Sequence, residues 1–326
     1  MKAHRSWHAI VWLLLVAPLS VSVQAQPYPS KPVKLITQGA AGSGPDVIAR
    51  ILADELGRLW GQPVVILNHP GAGGSAAARQ AASAVADGYT LYMPATSAFV
   101  VMPEMFPNLP FDLDRDFVRI GFVGEQPMVI AASPSLRVNS LPELIALAKT
   151  RPGEILYAAN ALGSLPHLTT ERLRSEANID LRFIPYPGAA AGLQDLAGGR
   201  ISVIVEGLGP LLGAIQGGAI RPLAIASGER LLNFRDMPTV AETIPRFVAM
   251  GWFALLVPAG TPEVIPGRLT EDLRTVLARQ ELKQKFERLG TFVRPMSPTE
   301  TTEFIRQEQA VWRPVVRRLG LRPQQQ

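Results

Sequence analysis

Cysteine is absent from the 326-residue sequence, and histidine is scarce. Without cysteine there are no disulfides, no thiolate nucleophiles and no cysteine-based zinc or iron–sulfur sites. Only His69 and His167 follow residue 25, and two separated histidines make a poor metal site. No G-x-S-x-G nucleophile elbow occurs either, so a Ser-His-Asp triad has no signature. We therefore expect a protein that is not an enzyme and that has no catalytic residue, metal or cofactor.

Charged residues are also few, at 18% of the chain, whereas 47% of the residues are apolar. This composition is typical of a folded chain that buries one large core or two smaller ones, and not of a disordered protein. The formal net charge is +5, but no basic cluster is interleaved with aromatic residues. We therefore expect no nucleic-acid binding and only a mild attraction for anions.

The first 25 residues have the pattern of a secretory signal peptide. Lys2 and Arg5 precede an unbroken apolar run from Ala9 to Val16, and Val23-Gln24-Ala25 fits a small-x-small cleavage site. The alternative, a retained membrane anchor, is disfavoured because a bilayer span needs about 20 apolar residues. We predict cleavage after Ala25, no lipid anchor because there is no cysteine to modify, and a location in the periplasm.

Strand-like and helix-like segments alternate along the rest of the chain, which predicts an α/β fold with mainly parallel sheets. Phe122–Val123 and Val129–Ala132 are predicted as two separate strands. Two amphipathic helices are predicted near the end of the chain, around Leu269–Leu277 and Glu300–Leu319.

The domain organisation follows from one segment with little periodicity, "ASGERLLNFRDMPTVAETIPRF" at residues 226–247, where the chain is expected to return to the first domain. We predict a first domain built from residues 26–125 and 240–326, and a second domain from residues 126–239. The cleft between them is the expected ligand site, because α/β sheets bind ligands at the carboxyl ends of their strands.

Five predicted strand-to-helix junctions contain glycine or other small residues. They are Gly39–Asp46, Gly71–Ser75, Gly163–His167, Gly188–Gly192 and Gly207–Gly213. Glycine allows close backbone approach, and free N–H groups at a helix start favour an anion. The first junction lacks both the Gly-Lys-Ser/Thr of a P-loop and the last glycine of G-x-G-x-x-G. A carboxylate is therefore a better hypothesis than a phosphate, although each junction alone also fits a plain tight turn.

Several informative side chains lie at or near the ends of predicted strands. Glu206 ends the apolar strand "ISVIVE", where it is either paired within the protein or a receptor for an amino or hydroxyl group of a ligand. Thr96 and Ser97 end another predicted strand and are candidate hydroxyl donors. Trp252 and Phe253 fit either core packing or the wall of a cleft.

Blocks of sequence throughout the chain resemble one family. "AAGSGPDVIARILADEL" resembles the family's first loop and helix, and "GQPVVILNHPGAGGSAAA" resembles its "GQPVVVENRPGAGG" block. "LPELIALAKTRPGEILYAANALGSLPHL", "IPYPGAAAGLQDLAGGRISVI" and "GWFALLVPAGTP" follow in family order. The chain is thus similar to the extracytoplasmic solute receptors of the tripartite tricarboxylate transporter system, known as the Bug family.

The resemblance implies a type II periplasmic binding protein, or Venus flytrap, with two α/β domains and a ligand cleft between them. It also implies a monomer that captures a small carboxylate (a di- or tricarboxylate, an amino acid or an aromatic acid) for membrane permease subunits of the transporter. The residues that align with cleft positions of the family are Gln38, Ala41, Gly42, Ser43, Thr96, Ser97, Asn160, Gly163, Ser164, Gly188, Ala189 and Glu206.

Three positions depart from the family pattern. Gln38-Gly39 stands where Pro-Phe is usual, His69 where Arg is usual, and Glu206 where Asp is more common. The identity of the ligand can therefore not be transferred from a relative to this chain. Two other functions fit the sequence, a ligand-presenting sensor subunit of a membrane kinase and a secreted hydrolase that uses His167.

Overall fold

The computed structural model describes residues 28–106 and 108–321, so the predicted signal peptide, residues 1–25, lies outside the described part of the chain. Nine strands form the sheet of the described chain. They are β1 (Val33–Thr37), β2 (Val64–Asn68), β3 (Thr90–Met93), β4 (Phe117–Ala132), β5 (Leu156–Ala159), β6 (Arg182–Pro185), β7 (Val203–Gly207), β8 (Arg221–Ile225) and β9 (Met250–Pro258).

The sheet has two halves that share strand β4. The strand order is β2-β1-β3-β9-β4-β7-β5-β6, and β8 also pairs with β4. The first half-sheet contains β2, β1, β3, β9 and residues 117–127 of β4, and the second contains β6, β5, β7, β8 and residues 128–132 of β4. β1 pairs in parallel with β2 and β3, and β5 with β6 and β7, whereas β4 and β9 run antiparallel to their neighbours. The predicted α/β fold is confirmed. The expectation of mainly parallel sheets was wrong, because β4 and β9 make antiparallel pairings that equal the parallel ones in number within the described chain.

Strand β4 passes without interruption from one half-sheet to the other, so the prediction of two strands at Phe122–Val123 and Val129–Ala132 was wrong. Gly124 and Pro127 interrupt the apolar pattern of the sequence but do not end the strand. A Cβ on Gly124 would lie 2.9 Å from the carbonyl oxygen of Phe292, so glycine here permits a close backbone approach.

Eleven α-helices cover the described half-sheets. They are α1 (Gly44–Trp60), α2 (Ser75–Ala82), α3 (Thr96–Val100), α4 (Met102–Met105), α5 (Leu141–Thr150), α6 (Leu165–Ala177), α7 (Ala189–Ala197), α8 (Leu208–Gln216), α9 (Val264–Ala278), α10 (Gln280–Arg288) and α11 (Pro298–Leu319). Serine caps several of them: the hydroxyls of Ser140, Ser164 and Ser297 accept from backbone N–H groups in the first turns of α5, α6 and α11. The sequence predicted two helices at the end of the chain and missed α10, whose mean hydropathy is low.

The apolar core joins the two half-sheets. One buried cluster packs α1, α9 and α10 against the first half-sheet, and a second packs α7 and α8 against the second. A third cluster continues from one half-sheet into the other and includes the fully buried Tyr157 and Trp252. Within residues 28–106 and 108–321, every helix is too short or too polar to cross a membrane.

Candidate ligand site

A cavity of about 150 Å³ lies between the two half-sheets, beside the antiparallel pair of strands β4 and β9. A cavity of roughly this volume can hold a molecule of the size of benzene. Its wall combines the loops that follow β1, β2, β3, β5 and β6 with the carboxyl end of β7 and with residues of β4 and β9. The cavity thus lies at the carboxyl ends of the parallel strands, where α/β sheets bind their ligands.

The loop after β1 forms one wall, and a buried carboxylate holds its shape. Asp46 accepts from the Gly42 N–H at 2.8 Å, from Asn68 Nδ2 at 2.8 Å and from Arg50 Nη2 at 2.9 Å. Asn68 Nδ2 also donates to the Gly39 carbonyl oxygen at 2.8 Å. Burial alone would raise the pKa of Asp46, but these hydrogen bonds outweigh it and hold the pKa below its usual value. Asp46 is therefore a charged anchor of the loop that does not line the cavity.

Ser43 occupies the N-cap position of α1 without capping the helix. Its backbone is extended, but its hydroxyl makes no side-chain cap hydrogen bond. The side chain is 8% exposed and lines the cavity, and among the described residues Ser43 Oγ has no hydrogen-bond partner. A buried hydroxyl without a partner is costly, so this group is available to a ligand in the cavity.

The loop after β5 forms the facing wall, and it begins α6. Ser164 lines the cavity and caps α6 by accepting from the His167 N–H at 3.4 Å. His167 is buried, its Nδ1 accepts from the Gly163 N–H at 3.3 Å, and its ring centroid lies 4.5 Å from that of Phe183. Burial lowers the pKa of His167 to about 4, so the ring is neutral near pH 7. His167 supports the turn from behind and does not line the cavity.

The loop after β3 contributes hydroxyl groups at the start of α3. Ser97 Oγ accepts from Gln38 Nε2 at 2.7 Å, and Gln38 Oε1 accepts from the Ala95 N–H at 3.2 Å. Because Ser97 Oγ accepts one hydrogen bond, its own proton is free to be donated. Thr96 Oγ1 accepts from the Trp252 N–H at 2.9 Å, which ties this loop to β9. Gln38, Thr96, Ser97 and Trp252 all line the cavity.

Glu206 is a buried carboxyl group on the cavity wall. It ends the apolar part of β7 and is 7% exposed. Its Oε1 accepts from the Gly207 N–H at 2.8 Å. Burial raises the pKa of Glu206 to about 7, although hydrogen bonds from Gly207 and from the Asn160 side chain act in the opposite direction.

The structure gathers seven of the twelve predicted site residues around this cavity: Gln38, Ser43, Thr96, Ser97, Asn160, Ser164 and Glu206. The other five lie outside its wall: Ala41, Gly42, Gly163, Gly188 and Ala189. Ala41 and Gly42 are exposed, and Gly163 packs instead against α3 and α4. Gly188 and Ala189 begin α7 beside Pro187, which does line the cavity. Contact with a ligand stays a prediction for all twelve.

Sequence reasoning missed one polar residue of the wall, Gln126. It is 4% exposed and lies in β4 where the strand crosses between the half-sheets. Its Nε2 donates to Thr291 Oγ1 at 3.2 Å and to the Leu289 carbonyl oxygen at 3.3 Å. The signal was present as a glutamine within the apolar run "FVGEQPMVI". Trp252 and Phe253 turn out to serve both suggested roles, since each is buried in the core and also lines the cavity.

Comparison with known proteins places the chain in a family. The family described as "Tripartite tricarboxylate transporter family receptor" matches residues 48–321. Protein BugT of Bordetella pertussis is 37% identical over 309 residues, which cover 94% of this chain and 95% of BugT. The structure of R. palustris Rpa4515 with adipate has a TM-score of 0.86 at 30% identity and covers 90% of this chain and 98% of that one.

A second solved structure agrees with the first. MatC from Rhodopseudomonas palustris with bound malate has a TM-score of 0.81 at 27% identity, and the match covers 89% of this chain and 100% of MatC. Together these similarities confirm both the resemblance inferred from the sequence blocks and the periplasmic-binding-protein fold that it implied. The chain belongs to the receptor family of the tripartite tricarboxylate transporters, among the Bug proteins.

Proposed function

We propose that the protein is a periplasmic receptor that captures a small organic acid and delivers it to membrane permease subunits of a tripartite tricarboxylate-type transporter. The observation that carries the proposal is the cavity between the half-sheets, where the starts of α1 and α6 meet hydroxyl and amide side chains. Family membership and the adipate and malate found in two similar structures support a carboxylate as the ligand.

The helix starts supply the chemistry that a carboxylate needs. Ser43 and Pro45 at the start of α1, and Ser164 and Pro166 at the start of α6, all line the cavity. N–H groups in the first turn of a helix have no intrahelical partner, and the helix dipole adds positive potential there. Charge-assisted hydrogen bonds contribute roughly 1.5–3 kcal/mol each. Three or four of them, less the cost of association, give about micromolar binding or tighter.

Closure of two domains would enclose the ligand. The division into residues 26–125 with 240–326 and residues 126–239 is supported by the two half-sheets, which β4 and β9 connect. The receptor would act as a monomer after export and cleavage at Ala25.

A ligand-presenting sensor would use the same cavity, so it differs from a transport receptor only in its membrane partner. The hydrolase alternative has little support, because His167, in the first turn of α6, does not line the cavity and its Nδ1 accepts from the Gly163 N–H.

The binding site can be tested with the exported, processed protein after unfolding and refolding to remove any bound metabolite. We expect at least one acid from a panel of mono-, di- and tricarboxylic acids to raise its melting temperature. The double change Asn160→Ala and Ser164→Ala should weaken calorimetric binding of that acid about tenfold or more, since two donors are lost.

A matched control separates loss of binding from loss of a helix cap. Ser140 caps α5 as Ser164 caps α6, but it does not line the cavity. Ser140→Ala should therefore retain the affinity of the unaltered protein. Equal affinity in the double variant and the control would reject the site, and turnover of ester or amide substrates would favour the hydrolase. Co-purification with permease subunits in the presence of the acid tests the transport role.

A further inference from the structure

Glu206 differs from the other buried carboxylates of the described chain. Asp46 pairs with Arg50, and Glu55 pairs with Arg58, Arg279 and Lys285. Glu206 is similarly buried, yet within the described residues it has only the neutral donors Gly207 N–H and the Asn160 side chain. A buried carboxylate normally has a cation or several donors. Its environment is therefore incomplete without a further donor.

The cavity itself supplies no cation. Among its described lining residues none is lysine, arginine or histidine, and Glu206 is the single titratable side chain. The groups around Glu206 on the wall are the neutral Asn160 after β5, and Gln126 and Met128 on β4. A ligand with two ionised carboxylates would therefore have to place three negative charges in one small cavity without a positive side chain. Like charges in such surroundings repel strongly.

We propose that Glu206 selects ligands that carry one carboxylate and, elsewhere in the molecule, a hydrogen-bond donor such as an ammonium, amide or hydroxyl group. This inference rests on the proposed function, because the helix starts of α1 and α6 are taken to hold the carboxylate. The donor group would complete the hydrogen bonding of Glu206, and the unpartnered Ser43 hydroxyl remains available to the carboxylate. Glu206 is thus a specificity-determining residue that discriminates against dicarboxylates when it is ionised.

The proton equilibrium of Glu206 gives this selection a pH dependence. Burial raises its pKa to about 7, so the group is neutral in mildly acidic solution and ionised above pH 7. A protonated Glu206 can donate to a second carboxylate, whereas an ionised one repels it. Dicarboxylate affinity should therefore fall by up to about tenfold per pH unit above the pKa, while the affinity for a monoamide of the same acid should change little.

The probes are succinate, glutarate and adipate, each paired with its monoamide. Within a pair, one carboxylate oxygen is replaced by an amide nitrogen at nearly constant size. For the unaltered protein at pH 8, we expect the monoamide that binds best to bind at least about tenfold more tightly than its diacid in calorimetry. Glu206→Gln should remove most of this preference. Glu55→Gln, which alters a buried carboxylate outside the cavity, should keep it.

Each outcome decides the matter. Tighter binding of the diacids at pH 8, or an unchanged preference in Glu206→Gln, overturns the role of Glu206 but leaves a carboxylate receptor in place. Binding of none of the six probes overturns the selection by Glu206, and the wider panel of acids described above then decides the proposed function separately. If Glu206→Gln does not fold, the unaltered protein still decides the question. At pH 8 its monoamides must bind more tightly than the matching diacids, and equal affinities within the pairs overturn the proposal.

Discussion

The turns before α1 and α6, which lie on opposite walls of the cavity, have the same backbone conformation but different side chains. Gly42 and Gly163 both have φ near +79°, and each is followed by a serine at the N-cap of a helix. In both turns the glycine N–H donates to the side chain four residues later, which is Asp46 in one turn and His167 in the other. The two turns therefore share their backbone conformation, and they differ in the side chain that accepts from the glycine N–H.

The difference between the acceptors changes the electrostatics of the two helix starts. Asp46 places a buried negative charge at the start of α1, where it offsets part of the positive potential of the helix dipole. His167 is neutral, so the positive potential at the start of α6 is not reduced in this way. From this comparison we expect the wall of α6 to attract the ligand carboxylate more strongly than the wall of α1. The serines differ as well, since Ser164 caps its helix and Ser43 does not.

The largest effect is expected from alanine at the two glycines. A non-glycine residue at such a φ costs about 1–2 kcal/mol, so Gly42→Ala should lose that much stability, since a Cβ there meets nothing within 4 Å. A Cβ on Gly163 would lie 2.9 Å from Val101 Cγ1 and 3.0 Å from Met105 Sδ. Overpacking of this kind adds about 1–3 kcal/mol, so Gly163→Ala should lose about 2–5 kcal/mol in urea unfolding.

The pair of variants also tests the contact between the turn before α6 and the region of α3 and α4. Val101 follows α3 and Met105 ends α4, and both pack directly against Gly163. This contact joins the turn that leads to Ser164 to the helices that follow Ser97, and both serines line the cavity. Gly163→Ala should therefore weaken ligand binding as well as stability, whereas Gly42→Ala should affect mainly stability. Equal losses in the two variants would show that the packing of Gly163 against Val101 and Met105 adds nothing to the backbone strain.

The two acceptors, Asp46 and His167, should contribute to stability with different pH dependences. Because burial lowers the pKa of His167 to about 4 from 6.5, its stabilising contribution is complete above pH 6.5 and is lost as the pH falls towards 4. The loss amounts to about 3 kcal/mol over this range. The pKa of Asp46 lies below 3.8, so its contribution is lost only at still lower pH.

His167→Asn keeps an acceptor for the Gly163 N–H but cannot be protonated near neutral pH. It therefore isolates the contribution of His167 protonation to the pH dependence of stability. Between pH 6.5 and pH 4, the unfolding free energy of the unaltered protein should fall relative to that of this variant. Taking the difference at each pH removes the opposite slope of Glu206, whose raised pKa reduces stability as the pH rises from 4.5 towards 7. Asp46→Asn is the control, and it should leave the slope between pH 6.5 and pH 4 unchanged.

The contrast between the turns also shows which features of the site could be predicted from the sequence. Both turns were predictable, because a glycine, a serine and a proline before a helical pattern are local signals. Their acceptors were not, because the partners of Asp46 include Asn68 and those of His167 include Phe183, which approach only in the folded chain. The role of Gln126 depended in the same way on β4 running through both half-sheets, which no local pattern indicates. Two interpretations of Glu206 came from the sequence. The lack of a cation among the described residues around it counts against an internal ion pair, and its role towards a ligand stays a prediction.

The smallest expected effect distinguishes the two serines. Loss of an N-cap hydrogen bond costs about 1 kcal/mol, so Ser164→Ala should lower the unfolding free energy by about that amount. Ser43 Oγ makes no hydrogen bond within the described chain, so Ser43→Ala should cost almost no stability. Ser140→Ala, which removes an equivalent cap from α5, calibrates the measurement in urea. If Ser43→Ala lost as much stability as Ser164→Ala, the Ser43 hydroxyl would be a structural group, and the start of α1 would have no free side-chain donor for a ligand.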